Sequence, residues 1–141
     1  LRQALDMLFA EGLDNVFRRH HLLAEATRRA VGVWAEGQAL GFNIDEAHER
    51  SDTVTTVLVH DERHTQPLLD YAREKCGVVV GIGIGELSGK ACRIAHMGHV
   101  NAPMMLGTLG VVEMALGALK IPHGKGGIQA AITYLAENVE A

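Results

Sequence analysis

Cysteine is scarce: the 141 residues hold only Cys76 and Cys92, with no CxxC spacing. Two are too few for a disulfide framework, and they fit a reducing, cytoplasmic setting in which each packs as a small apolar group. Aromatic residues are only 4%, which speaks against the stacking platforms of single-stranded nucleic-acid binders. A basic excess is lacking too. Thirteen Lys and Arg against 17 Asp and Glu leave a formal charge of −4, the opposite of what a general nucleic-acid binder needs. No apolar run approaches the ~20 residues that cross a bilayer, so no membrane partner is expected. A starting Met and the charged-then-apolar layout of a signal peptide are missing as well.

What is present has the balance of an ordinary globular domain, 48% hydrophobic and 21% charged. The length suits one domain with a core that needs no staples. The first residues, Leu1-Arg2-Gln3-Ala4-Leu5-Asp6, already read as helix, so the chain is expected to continue something upstream. Residues 12–36 form one long amphipathic helix. Leu13, Val16, Phe17, His20, Leu23, Ala24, Ala30, Val31 and Trp34 lie on its apolar side, and Arg18, Arg19, Glu25, Arg28 and Arg29 on the other. Residues 39–44 suit a short strand, and 45–52 a polar loop. Residues 53–59, TVTTVLV, are the clearest strand because nearly all are β-branched.

Thr65 then suits an N-cap with Pro67 in the first turn, and Leu68, Leu69, Ala72 and Cys76 form a buried stripe that Gly77 ends. Residues 78–80 read as a strand, the glycine-rich run 81–89 as a hairpin or bulge, and 91–95 as a last strand. Asn101 caps a helix whose stripe is Met105, Leu109, Val112, Leu116 and Leu119. Gly107, Gly110 and Gly117 inside it suggest close packing by another element. A final helix shows Ile128, Ile132, Leu135 and Val139 on one face. This order points to an α+β fold, a small, mostly antiparallel sheet covered by helices on one face.

The run Gly81-Ile82-Gly83-Ile84-Gly85-Glu86-Leu87-Ser88-Gly89-Lys90 satisfies neither phosphate-loop pattern. A dinucleotide fingerprint opens directly into a helix, whereas a strand follows here. A P-loop needs a glycine where Ile84 stands and a hydroxyl where Ala91 stands. His96 and His99, like His20 and His21, lack the further ligands a zinc site needs and are expected at the surface or an interface. Glu11 and Asp14 suit a helix start, where carboxylates favour the dipole. Arg93 differs from all of these. It lies within an apolar strand, where a guanidinium is costly to bury alone and its fork matches a carboxylate. A ligand carboxylate, a structural salt bridge and an outward-facing edge position are all open at this stage.

Cys92-Arg93-Ile94-Ala95-His96-Met97-Gly98 resembles the FRIGHMG element of class V, pyridoxal-phosphate-dependent aminotransferases, in the alanine–glyoxylate and serine–glyoxylate branch. Residues 11–20, EGLDNVFRRH, are similar to the helix entering their C-terminal small domain. Arg50-Ser51-Asp52-Thr53-Val54-Thr55 resembles their SDTVTA strand, and residues 105–116 their penultimate helix. The likeness runs in order along nearly the whole chain. Two positions depart: Ala95 replaces a usual Gly, and His99 stands where Asp, Asn or another polar residue is common.

The resemblance implies that 1–141 is the small domain of a fold-type I aminotransferase, with 1–11 the end of an interdomain helical segment and the large domain absent. It further implies amino-group transfer from serine or alanine to glyoxylate or a related 2-oxo acid. Arg93 would be the substrate-binding residue holding the α-carboxylate. Pyridoxal 5'-phosphate would be the electron sink, held mainly by that large domain, and the partners would be the substrates, the large domain and a second copy in a homodimer. No catalytic residue, cofactor-binding residue or metal ligand is assigned in this chain, since Lys75, Lys90, Lys120 and Lys125 match no Schiff-base motif. The chain alone is therefore expected to be inactive. Cysteine desulfurases share the class but need a catalytic loop cysteine, and neither Cys76 nor Cys92 suits. The alternative from another class is a stand-alone, non-catalytic module that binds a small carboxylate or serves assembly.

Overall fold

The computed structural model describes residues 1–139. Along it run helix α1 (Arg2–Glu11), helix α2 (Leu13–Ala35), strands β1 (Leu40–Phe42) and β2 (Val54–Val59), and helix α3 (Thr65–Asp70). Strands β3 (Gly81–Ile82) and β4 (Ala91–Ala95) follow, then helices α4 (Ala102–Ala118) and α5 (Gly127–Asn138). The four strands form one sheet in the order β1-β2-β4-β3, antiparallel at every pairing. This is the α+β arrangement that the sequence implies.

Period-two patterning builds the sheet. Thr55, Val57 and Val59 of β2 are buried, and Val57 stands opposite Cys92 and Thr55 opposite Ile94. That face carries the core, which joins Cys92 and Ile94 to Trp34, Leu69, Leu109 and Leu116 from the helices. Val54, Thr56 and Leu58 lie between them on the opposite face and remain half-buried.

The helices are tied together by one carboxylate. Glu113 on α4 accepts from the Trp34 indole N–H on α2 at 2.7 Å and from the backbone N–H of Ile128, in the first turn of α5, at 2.8 Å. The indole also explains why α5 begins with glycine, because a Cβ on Gly127 would collide with the Trp34 ring. That contact turns α5 so that Gly127, Ala131 and Leu135 are buried. Ile132 and Val139, expected on the buried face, are 39% and 50% exposed.

Several local expectations are corrected. Thr65 is the first residue of α3 rather than its cap, the preceding His64 makes no side-chain cap bond, and the Thr65 hydroxyl is buried without a partner among the described residues. The helix widens into a π turn over Tyr71–Lys75, which leaves Cys76 half-buried. Residues 78–80 are not a strand. Pairing starts at Gly81, because that is where the chain comes level with Arg93 of β4. Within α4 only Gly110 has a close neighbour, Ile128, and among the described residues nothing lies against Gly107 or Gly117. Leu13 and Phe17 of α2 are exposed, as are Leu5 and Phe9 of α1. None of the described helices is long and apolar enough to cross a membrane.

Candidate functional site

Arg93 occupies the middle of β4, level with Thr56 on one side and Gly81 on the other. Strand alternation sends Cys92 and Ile94 into the core and Arg93 to the opposite face, where it is half-buried. Its Nε donates to the carbonyl of Ile82 at 2.7 Å. This bond fixes the root of the guanidinium and leaves the terminal nitrogens free of any ion pair among the described residues. Room for the side chain comes from Gly81: a Cβ there would sit 3.3 Å from the Arg93 Cβ. Beside it opens a cleft of about 440 Å³. Val79, Val80, Ala95, Met97 and Thr108 line it, and among the described residues Arg93 is its only charged wall. Chemically, such a place can receive one carboxylate on two parallel N–H groups, with apolar surface around it.

The structure parts the two histidines of the 96–99 pair. His96, expected at the surface or an interface, is fully buried within the chain. Its Nδ1 lies 3.1 Å from the Asp52 carbonyl and its Nε2 3.0 Å from the Thr55 hydroxyl. A carbonyl can only accept, so Nδ1 carries the proton and Nε2 accepts from Thr55. Burial pushes the imidazole below its ordinary pKa, despite the favourable bond to Asp52. His96 therefore fastens the end of β4 to the start of β2, while His99 is exposed.

The charged side of α2 also departs from expectation. Arg28 is 8% exposed and engaged at both terminal nitrogens: Nη1 reaches Glu25 at 2.6 Å, and Nη2 reaches the Ser51 carbonyl at 2.7 Å and Asp52 at 3.0 Å, while its buried Nε has no partner among the described residues. His21 meets the same Asp52 at 3.0 Å. Burial works against ionising Asp52, but the His21 bond and the Arg28 charge prevail and hold its carboxyl below the usual range.

Glu11 ends α1 instead of starting a helix, so the dipole reading holds only for Asp14, in the first turn of α2. The Glu11 carboxylate takes Arg19 from two sides, at 2.6 and 2.7 Å. Arg19 Nη1 then donates to the carbonyls of Gly98 and Val100, both at 2.8 Å, and the Gly98 N–H donates to His20 Nε2 at 3.0 Å. Sequence spacing gives no hint of this cluster, because Gly98 and Val100 lie about 80 positions from Arg19 and His20 and reach them only through the turn after β4.

No family model matches the chain. The chain is similar to the serine–glyoxylate aminotransferase of Methylorubrum extorquens, 37% identical over 98% of the chain and 34% of that protein. It is also similar to the serine–glyoxylate aminotransferase of Arabidopsis thaliana, 38% identical over 99% of the chain and again 34% of the relative. Among solved structures, the pyridoxamine–pyruvate aminotransferase of Mesorhizobium loti superposes with a TM-score of 0.85 at 31% identity, covering 96% of the chain and 34% of that protein. The chain thus spans about one third of the length of the relatives it matches. The likeness drawn from the residues holds in sequence and in fold alike over that third.

Proposed function

We infer that this chain is the C-terminal small domain of a class V, pyridoxal-phosphate-dependent aminotransferase, and that the whole protein works as a homodimer in the cytoplasm. The reaction we assign it is transfer of an amino group from serine or alanine to glyoxylate or a related 2-oxo acid. One observation carries the assignment of a role to this chain: Arg93 sits at an open cleft with its fork unclaimed by any carboxylate among the described residues. Both amino donor and oxo acceptor bear a carboxylate next to the reacting carbon, so one fixed guanidinium serves both half-reactions.

In this reading pyridoxal phosphate is held mainly by the large domain. None of Lys75, Lys90, Lys120 and Lys125 borders the Arg93 cleft; Lys90 faces Glu62 at 3.7 Å and Lys125 faces His123. The Schiff-base lysine and the bond-breaking steps are assigned to that large domain. What this chain contributes is binding and orientation. Arg93 fixes one end of the substrate, and the apolar walls at Val79 and Met97 limit the water that would screen the pair.

Arg93→Lys in the full-length protein tests this. Lysine keeps the charge and loses the fork, so kcat/KM for L-serine with glyoxylate falls about 100-fold. Ethanolamine, which is serine without its carboxylate, provides the control. The wild-type preference for serine over ethanolamine should shrink by a similar factor in the variant. An unchanged preference would show that Arg93 does not read the carboxylate.

A further inference from the structure

We propose that Arg19 and His20 are positioning residues for the carboxylate clamp, acting on Arg93 through the turn at residues 97–100, with Glu11 as their anchor. The inference rests on the role given to Arg93 above and adds residues to it.

Three observations combine. The turn leaves β4 two residues after Ala95 and carries Met97, which walls the Arg93 cleft, so any shift of the turn changes the shape of that cleft. At Gly98 the backbone takes φ +84°, a left-handed conformation that glycine permits but does not select. The selection comes from outside: Gly98 donates to His20, and both the Gly98 and Val100 carbonyls accept from Arg19. Arg19 is itself aimed by the two-sided Glu11 contact, so four of its five N–H groups are committed and its planar fork has one orientation.

Glu11 adds a consequence. It is the last residue of α1, and Gly12, with φ +85°, breaks the helix before α2 begins. The Glu11–Arg19 pair spans that break. The direction in which α1 leaves the domain and the setting of the 97–100 turn are therefore linked through one guanidinium. Buried His96 fastens the near end of the turn to β2, and Arg19 and His20 fasten its far side to α2.

The experiment uses the full-length protein with L-serine and glyoxylate, counting active sites so that kcat refers to folded enzyme. The carboxylate contact exists in ground state and transition state alike, so loosening it raises KM and spares kcat. Arg19→Lys and the milder Glu11→Gln are each expected to raise KM for serine about tenfold with kcat within about twofold. His20→Ala follows them. His20→Gln places an acceptor near the position of Nε2 and should restore the wild-type KM. A merely structural role lowers the melting temperature and the number of active sites, and moves KM in none of the variants. KM within about twofold of wild type in Arg19→Lys and Glu11→Gln, or equal effects of Ala and Gln at position 20, overturns the proposal. Failure of the underlying reading looks different: Arg93→Lys itself would then leave kcat/KM unchanged.

Discussion

Two arginines of this chain approach the same small sheet from opposite sides and are treated in opposite ways. Arg28 reaches the start of β2 from α2. Its terminal nitrogens are filled by Glu25, Asp52 and two backbone carbonyls, at a site where 8% of the residue is exposed. Arg93 stands on the outer face with a single bond to a carbonyl and no ion pair among the described residues. A guanidinium whose fork the protein fills is part of the architecture, because removing it strands every partner it neutralised. One whose root is fixed and whose fork is left open adds little to the fold and is organised for something that arrives later.

Truncating each arginine tests this difference, and it gives the largest expected effect on stability. Arg28→Ala leaves Glu25 and Asp52 facing each other across a partly buried space and the Ser51 carbonyl unpaired. It should destabilise the chain by about 3 kcal/mol. Arg93→Ala gives up one bond at a half-buried position and should cost less than about 1 kcal/mol. Urea titration followed through the lone tryptophan, Trp34, reads both. Equal losses would mean that Arg93 is a structural residue, and the reason for assigning it a ligand would vanish.

A smaller effect comes from pH, and it belongs to the Arg28 side alone. His96 is buried next to Asp52 with its pKa pushed down. In the unfolded chain the ring titrates near 6.5. Below that value the unfolded state takes up a proton that the folded state refuses, so stability is full above it and falls with acidification. Asp52, also lowered, has the same sign, but its loss begins only near the ordinary carboxylate range. Between about pH 7.5 and about pH 5.5 the wild type should lose about 1 kcal/mol more than His96→Gln. Parallel pH slopes for the two would show that His96 does not carry this sensitivity.

The two regions were also unequally legible. Strand β4 and its arginine stand out in the sequence because ACRIA interrupts an apolar alternation with one charge, and the boundaries 91–95 follow from composition alone. The lengths of α2 and α4 and the Asn101 cap, whose side chain accepts from Met104 N–H at 3.1 Å, are equally local signals. Arg28, Arg19 and His96 are different. Each looks like surface on a helical wheel or in a loop, and each is engaged by partners distant in the chain, Asp52 for Arg28 and His96, and Gly98 for Arg19. The turn of α5 was hidden for the same reason. Its two isoleucines advertise one face, but Gly127 has to meet the Trp34 ring, and the helix settles one position round from where hydrophobicity points.

The finest contrast lies between adjacent residues and needs no substitution. Cys92 and Arg93 are neighbours on β4, and the pleat sends them to opposite faces. Cys92 is 1% exposed, and burial pushes its thiol up to about 12, so almost no thiolate exists at neutral pH to attack an alkylating agent. Arg93 faces the open cleft. In the folded chain, iodoacetamide should therefore leave Cys92 unmodified until urea is added, while the arginine reagent phenylglyoxal modifies Arg93 without denaturant. Half-buried Cys76 serves as the internal reference, reacting ahead of Cys92. Protection of Arg93 together with Cys92 would mean that the outer sheet face is covered in solution, and the open fork would then need a different explanation from an awaited carboxylate. Reaction of Cys92 in the native state would mean that β4 frays, leaving Arg93 no rigid strand from which to clamp anything.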